Sequence, residues 1–176
     1  MQRAQLEHLI RAAAVLADDP DIVVVGSQAI LGTAPDAPAE LLRSIEADVF
    51  PRAHPERADV IDGAIGEGSI FQDTFGYYAH GVGPETAKAP GGWEERLVLV
   101  EGPGTNGARG WCLEAHDLVL AKCVAGREKD WAFARTALAG GLVGRGVLLD
   151  RVDALPLGAD HRDVVRRLVS GLRTPP

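Results

Sequence analysis

Two acids one residue apart, Glu46 and Asp48, carry the clearest chemical potential in this chain. They lie in Ser44-Ile45-Glu46-Ala47-Asp48-Val49-Phe50, an alternating stretch closed by Pro51, which reads as a β-strand over 44–50. Residues i and i+2 of a strand share a face, so the two acids stand side by side with Cα atoms roughly 6–7 Å apart, while Ile45, Ala47 and Val49 turn to the apolar side. Like charges at that spacing repel unless a cation lies between them or one is protonated. Mg²⁺ meets that need, because it takes hard oxygen ligands, usually one or two carboxylates together with substrate phosphates. A solvated strand face bearing two acids is the other reading of the same pattern.

Gly26-Ser27 is the second candidate. It follows Ile22-Val23-Val24-Val25, a continuous β-branched run of the kind found in buried strands, and precedes Gln28–Leu31, which can open a short helix. A glycine there lets backbone approach a ligand closely, and free N–H groups at the helix start suit a phosphate; an ordinary turn is the plain alternative. Gly26 to Gly32 is not the GxGxxG of dinucleotide-binding folds, and Ser27 does not sit in a GxSxG elbow. His8, His54, His80, His116 and His161 are scattered without zinc spacing, and Cys112 and Cys123 form no CxxC. Trp93, Trp111 and Trp131 read as packing residues. Arg162, Arg166, Arg167 and Arg173 read as a solvated basic face that in an RNA-modifying enzyme could meet a phosphate backbone.

The elements that must position these residues follow from periodicity and breakers. Leu6, Leu9, Ile10, Ala13 and Leu16 predict an amphipathic helix over 3–17. Residues 58–65 can form a short helix, and 75–82 and 96–101 read as strands, separated by a Gly/Pro-rich loop at 83–92 and followed by a turn cluster at 102–110. Beyond Leu113 the chain reads as helices at 114–125, 128–139, 146–154 and 161–172, punctuated by glycines. Strands first and helices last predict an α/β (α+β) fold, a mixed sheet flanked by helices. The expected organisation is a sheet core over 1–110 with a helical C-terminal portion over 111–176, packed as one unit.

The 176 residues, 46% apolar and 24% charged, suit one globular domain with a real core. The net charge of −7 is concentrated early: residues 1–110 hold 8 basic against 17 acidic side chains, whereas 141–176 hold 6 against 4. That bulk repels nucleic acid at long range and argues against a general DNA binder. No apolar run reaches the ~18 residues of a membrane span, and the charged N-terminal segment does not resemble a signal peptide. With two cysteines unable to staple a chain of this size, a cytoplasmic location with reduced thiols is expected.

Taken together, VVVGSQAILG and RSIEADVF resemble the nucleotidyltransferase superfamily related to DNA polymerase β, in which a Gly-Ser or Gly-Gly ends one strand and a later strand carries two alternating carboxylates. The nearest resemblance is to bacterial toxin–antitoxin nucleotidyltransferase-like proteins, including AbiEii-like toxins, which often have a Ser or Thr two residues before the first carboxylate, as Ser44 is here. In those families an Asp-Leu pair on a helix leads to a lysine and then to an Arg…Lys/Arg-Asp segment. Asp117-Leu118, Lys122, Arg127 and Lys129-Asp130 match in that order.

The resemblance implies a metal-dependent transfer of a nucleotide from an NTP to an RNA (such as tRNA) or protein acceptor, in a toxin–antitoxin setting with a cognate antitoxin. It implies Glu46 and Asp48 as Mg²⁺ ligands and catalytic residues. It implies Gly26, Ser27, Ser44 and Asp130 as nucleotide-binding, and Lys122 as both nucleotide-binding and catalytic, neutralising triphosphate charge. Glu46 stands where the family usually has Asp. The third carboxylate, normally on a later strand, has only Glu101 as a positional candidate. A silent nucleotidyltransferase-like binding module and a small-molecule nucleotidyltransferase are the alternatives these departures leave.

Overall fold

A computed structural model describes residues 1–172. Five strands form one mixed sheet in the order β3-β2-β1-β5-β4. They are β1 (Asp21–Val25), β2 (Glu46–Pro51), β3 (Tyr78–Gly81), β4 (Val98–Val100) and β5 (Arg109–Cys112). β1 pairs antiparallel with β2 and parallel with β5, β3 adds parallel to β2, and β4 adds antiparallel to β5. The helices are α1 (Arg3–Ala17), α2 (Ile30–Thr33), α3 (Ala58–Ile65), α4 (Ile70–Phe75), α5 (Ala115–Ala125), α6 (Glu128–Ala139), α7 (Arg145–Arg151) and α8 (Ala159–Gly171).

The unbroken apolar run of β1 has a direct cause. Ile22 and Val24 enter the main core with Leu6, Leu9 and Ile10 of α1. Val23 and Val25 enter a smaller cluster on the other face with Phe50, Ala58 and Val82. Covered on both sides, Ile22–Val25 leave no position for a polar residue, and the one acid of the strand, Asp21, sits at its partly open start. The expected α+β architecture is therefore present, with the helices α5–α8 following the sheet in sequence.

Several local expectations change. Residues 102–110 read as turns, but Arg109 and Gly110 open β5, an interior strand. Gly110 is there for packing: a Cβ on it would lie 2.4 Å from Ile10 Cδ1 of α1. The second strand begins at Glu46 rather than Ser44, because the Ser44 hydroxyl accepts the Glu46 backbone N–H at 3.1 Å and turns the chain locally. Ile45 consequently falls outside the strand and is half exposed, whereas Ala47 and Val49 are buried as expected. α4 is an element that periodicity does not predict. Arg173 lies outside the described residues. No helix among the described residues is long and apolar enough to cross a membrane.

Candidate functional site

The end of β1 and the start of β2 meet in the antiparallel pair Val25↔Asp48. Immediately beyond, Gly26 adopts φ +66° and ψ −167°, a region essentially reserved for glycine. A Cβ on Gly26 would lie 1.9 Å from Asp48 Oδ2. The glycine thus serves both the bend into the short 3-10 turn Ser27–Ala29 and the close approach of a carboxylate.

Glu46 and Asp48 share one face of β2, and β3 runs parallel beside them in the register Glu46↔Tyr78 and Asp48↔His80. Each acid therefore has a polar neighbour across the strand gap. The Tyr78 hydroxyl donates to Glu46 Oε2 at 2.9 Å. His80 Nδ1 lies 3.1 Å from Asp48 Oδ1 and 3.7 Å from Glu46 Oε1. One ligand atom each from Glu46, Asp48 and His80 lies within 4.8 Å of the others.

The electrostatics of this cluster call for positive charge. Burial, and then the neighbouring Glu46, push the Asp48 carboxyl up to about 6, with His80 partly opposing. Burial, and then the same glutamate, push the Tyr78 hydroxyl up to about 12, so Tyr78 remains a donor to Glu46 at neutral pH. A divalent cation relieves that repulsion, and two half-buried carboxylates with one imidazole nitrogen are donors such an ion accepts. The residues present therefore fit a metal.

The opposite wall comes from α5 and α6. Lys122 Nζ donates to Ser27 Oγ at 2.7 Å and lies 3.4 Å from Asp130 Oδ1. Asp130, in the first turn of α6 where a negative charge is favourable, is buried and also accepts from Arg127 Nε at 2.6 Å. Burial lowers the Lys122 pKa and Asp130 opposes it. Burial alone would raise Asp130, but Arg127 and Lys122 together hold it below the ordinary range. Asp117, fully buried, pairs with Arg96 Nε at 2.7 Å and Arg151 Nη1 at 2.9 Å, anchoring the helix that carries Lys122.

Between the walls lies a cleft of about 500 Å³ lined by Ser27, Ser44, Glu46, Asp48, Lys122 and Asp130. That size lies within the range of small-molecule sites. Six of the seven residues singled out in the sequence line this cleft, and Gly26 adjoins Asp48.

Glu101 is a correction. It follows β4, whose Val100 pairs with Gly110 near the start of β5, and Arg109 of β5 pairs with the start of β1. Glu101 is therefore exposed at the end of the sheet away from Gly26 and supplies no third carboxylate to this cleft. The group that does stand third is His80, a histidine without zinc spacing in the sequence. Tyr78-Ala79-His80 repeats the spacing of Glu46-Ala47-Asp48, a signal present in the sequence that needs knowledge of strand neighbours to be read. Cys112 and Cys123 are free and buried, and burial pushes both thiols up to about 12.

A family described as “nucleotidyltransferase of unknown function (DUF6036)” matches residues 4–152. No curated protein and no solved structure matches the chain.

Proposed function

The chain belongs to this nucleotidyltransferase family, and on that premise we propose that it moves a nucleotide from an NTP to an acceptor hydroxyl with a divalent cation held by Glu46 and Asp48. The observation that carries this reading is the convergence of two carboxylates from β2 and a partly buried lysine from α5 on one cleft beside Ser27. Mg²⁺ is the cation suited to the two carboxylates together with a triphosphate; it would neutralise phosphate charge and polarise the α-phosphate.

The chain's own groups divide the remaining work. Ser27 at the end of β1 offers a hydroxyl and the adjoining backbone to phosphate oxygens. Lys122, already hydrogen-bonded to Ser27, supplies the compensating charge for the leaving pyrophosphate as the acceptor hydroxyl gives its proton to solvent, its oxygen bonds to phosphorus and the bond to pyrophosphate breaks. Asp130, itself buried, holds Lys122 in place and is held in turn by the exposed Arg127. Ser44 shapes the entry to β2 and lines the cleft. Arg43 and Lys129, also on the cleft wall, are suited to donor phosphates or to the backbone of an RNA acceptor. The toxin-like order of Lys122, Arg127 and Lys129-Asp130 supports an RNA or protein acceptor and a place in a toxin–antitoxin pair with a cognate antitoxin, and the free thiols of Cys112 and Cys123 support work in the cytoplasm.

The test is incubation with each labelled NTP, divalent cation and either cellular RNA or cellular protein. The expected result is label transferred to one acceptor class by the wild type and lost in Asp48→Asn. NTP binding without transfer in any pool would favour a silent binding module, and absence of both would leave only the family and the fold.

A further inference from the structure

The cation site has a nitrogen where the two-carboxylate pattern calls only for oxygen. β3 lies in register beside β2, so His80 stands opposite Asp48 on the same face. Its Nδ1 is 3.1 Å from Asp48 Oδ1 and 3.7 Å from Glu46 Oε1. Adjacent ligands on an octahedral ion with bonds near 2.1 Å are separated by roughly 3 Å; the histidine stands near that spacing from Asp48, and all three ligand atoms lie within 4.8 Å of one another, so a small inward movement would bring them onto one ion. Tyr78 reinforces the arrangement. By donating to Glu46 Oε2 it occupies one carboxylate oxygen and leaves Oε1, the oxygen near His80, to face the cluster. The longer reach of Glu46 compared with aspartate is thereby fixed rather than free.

We infer that His80 is the third protein ligand of this cation and that the Glu46–Asp48–His80 set selects a first-row transition ion of the Mn²⁺ or Co²⁺ kind over Mg²⁺. The inference rests on the proposed metal-dependent nucleotidyl transfer and deepens it by naming the cofactor class. The chemistry is that of the donor set. Mg²⁺ binds hard oxygens and gives up its water reluctantly, so an imidazole adds little to its affinity. Mn²⁺ and, more strongly, Co²⁺ gain from a nitrogen donor. The half-exposed His80 side chain has no hydrogen-bond partner among the described residues other than Asp48, so no competing contact holds it away from an ion.

The experiment uses the full chain with the metals alone and then with a non-hydrolysable NTP. Calorimetry gives Mn²⁺, Co²⁺ and Mg²⁺ affinities for wild type, His80→Gln and His80→Asp, with circular dichroism confirming that each variant is folded. Pulsed electron paramagnetic resonance on bound Mn²⁺ reads nitrogen coupling directly. Nitrogen coupling is expected in wild type and absent in both variants, with the Mn²⁺-to-Mg²⁺ affinity ratio falling about tenfold or more in each. His80→Asp should recover Mg²⁺ binding, because it restores an all-oxygen face. Mn²⁺ bound with no nitrogen coupling and an unchanged ratio in the variants would overturn the inference, leaving His80 as a hydrogen-bond partner of Asp48 and the proposed function intact. Nitrogen coupling that persists in both variants would overturn it as well, since another histidine would then be the ligand. Failure of wild type to bind any of these ions, with or without the nucleotide, would overturn both readings.

Discussion

The carboxylate of Asp48 occupies the space that a side chain on Gly26 would need: a Cβ there would stand 1.9 Å from Oδ2. Backbone geometry adds a second barrier, because Gly26 holds φ +66° with an extended ψ. Gly26→Ala is therefore expected to destabilise the fold by about 2 kcal/mol or more and to displace Asp48. Urea denaturation measures the first effect and metal calorimetry the second. Wild-type stability and wild-type metal affinity in this variant would show that the close approach is not maintained in solution.

The hydrogen bond from Tyr78 to Glu46 makes a further prediction about length. Glu46→Asp keeps the charge but withdraws the carboxylate by one methylene from both Tyr78 and the Asp48–His80 pair. The rate of nucleotide transfer should fall about tenfold to a hundredfold, since a displacement near 1 Å is enough for such a loss. Tyr78→Phe should produce a smaller fall through the same carboxylate. A gain in rate for Glu46→Asp would mean that the site is not built around glutamate.

Lys122 brings its charge to the cleft from a partly buried position beside Ser27 and Asp130. Lys122→Ala should weaken NTP binding about tenfold or more, the value of a lost hydrogen bond to a charged phosphate. The fold should persist, because Arg127 continues to pair with Asp130. Nucleotide calorimetry on a variant shown to be folded decides this, and unchanged affinity would make the lysine a packing element only.

At the far end of the sheet, Asp21 accepts from Arg109 and from Trp111 Nε1. Burial would raise its pKa, but these bonds and the Arg109 charge hold it below the ordinary carboxylate range. A depressed folded pKa contributes stability that is present above the unfolded pKa, near 3.9, and is lost as pH falls through the folded value. Asp21→Asn is therefore expected to cost about 1–2 kcal/mol at pH 7 and progressively less below about pH 4. Urea titrations at pH 7 and pH 3 give the comparison, and an equal deficit at both would rule out an ionic contribution.

Elements with strong local periodicity are legible in the sequence. α1 and α6 carry the bounds that their apolar spacing and breakers predict, and the β-branched run of β1 is buried on both faces. β5 is not legible, since its first two residues, Arg109 and Gly110, read as the end of a turn cluster until α1 and the neighbouring strands supply the reason for them. α4 is only six residues long, buries none of them and exposes Ile70 and Phe75, so no apolar stripe marks it in the sequence.

By itself the sequence determined which side chains of β2 share a face, because an acid-x-acid strand puts Glu46 and Asp48 on one side wherever it packs, and it marked Gly26, Ser27, Lys122 and Asp130 as candidates to stand with them. Tertiary structure decided which residues stand beside those acids. Glu101 and His80 each follow or lie within a strand, but strand order sends the first to the opposite edge and sets the second beside Asp48. The physical reason is that a strand's own pattern specifies which side chains share a face, while the pairing of one strand with another depends on hydrogen bonds and burial shared across distant parts of the chain.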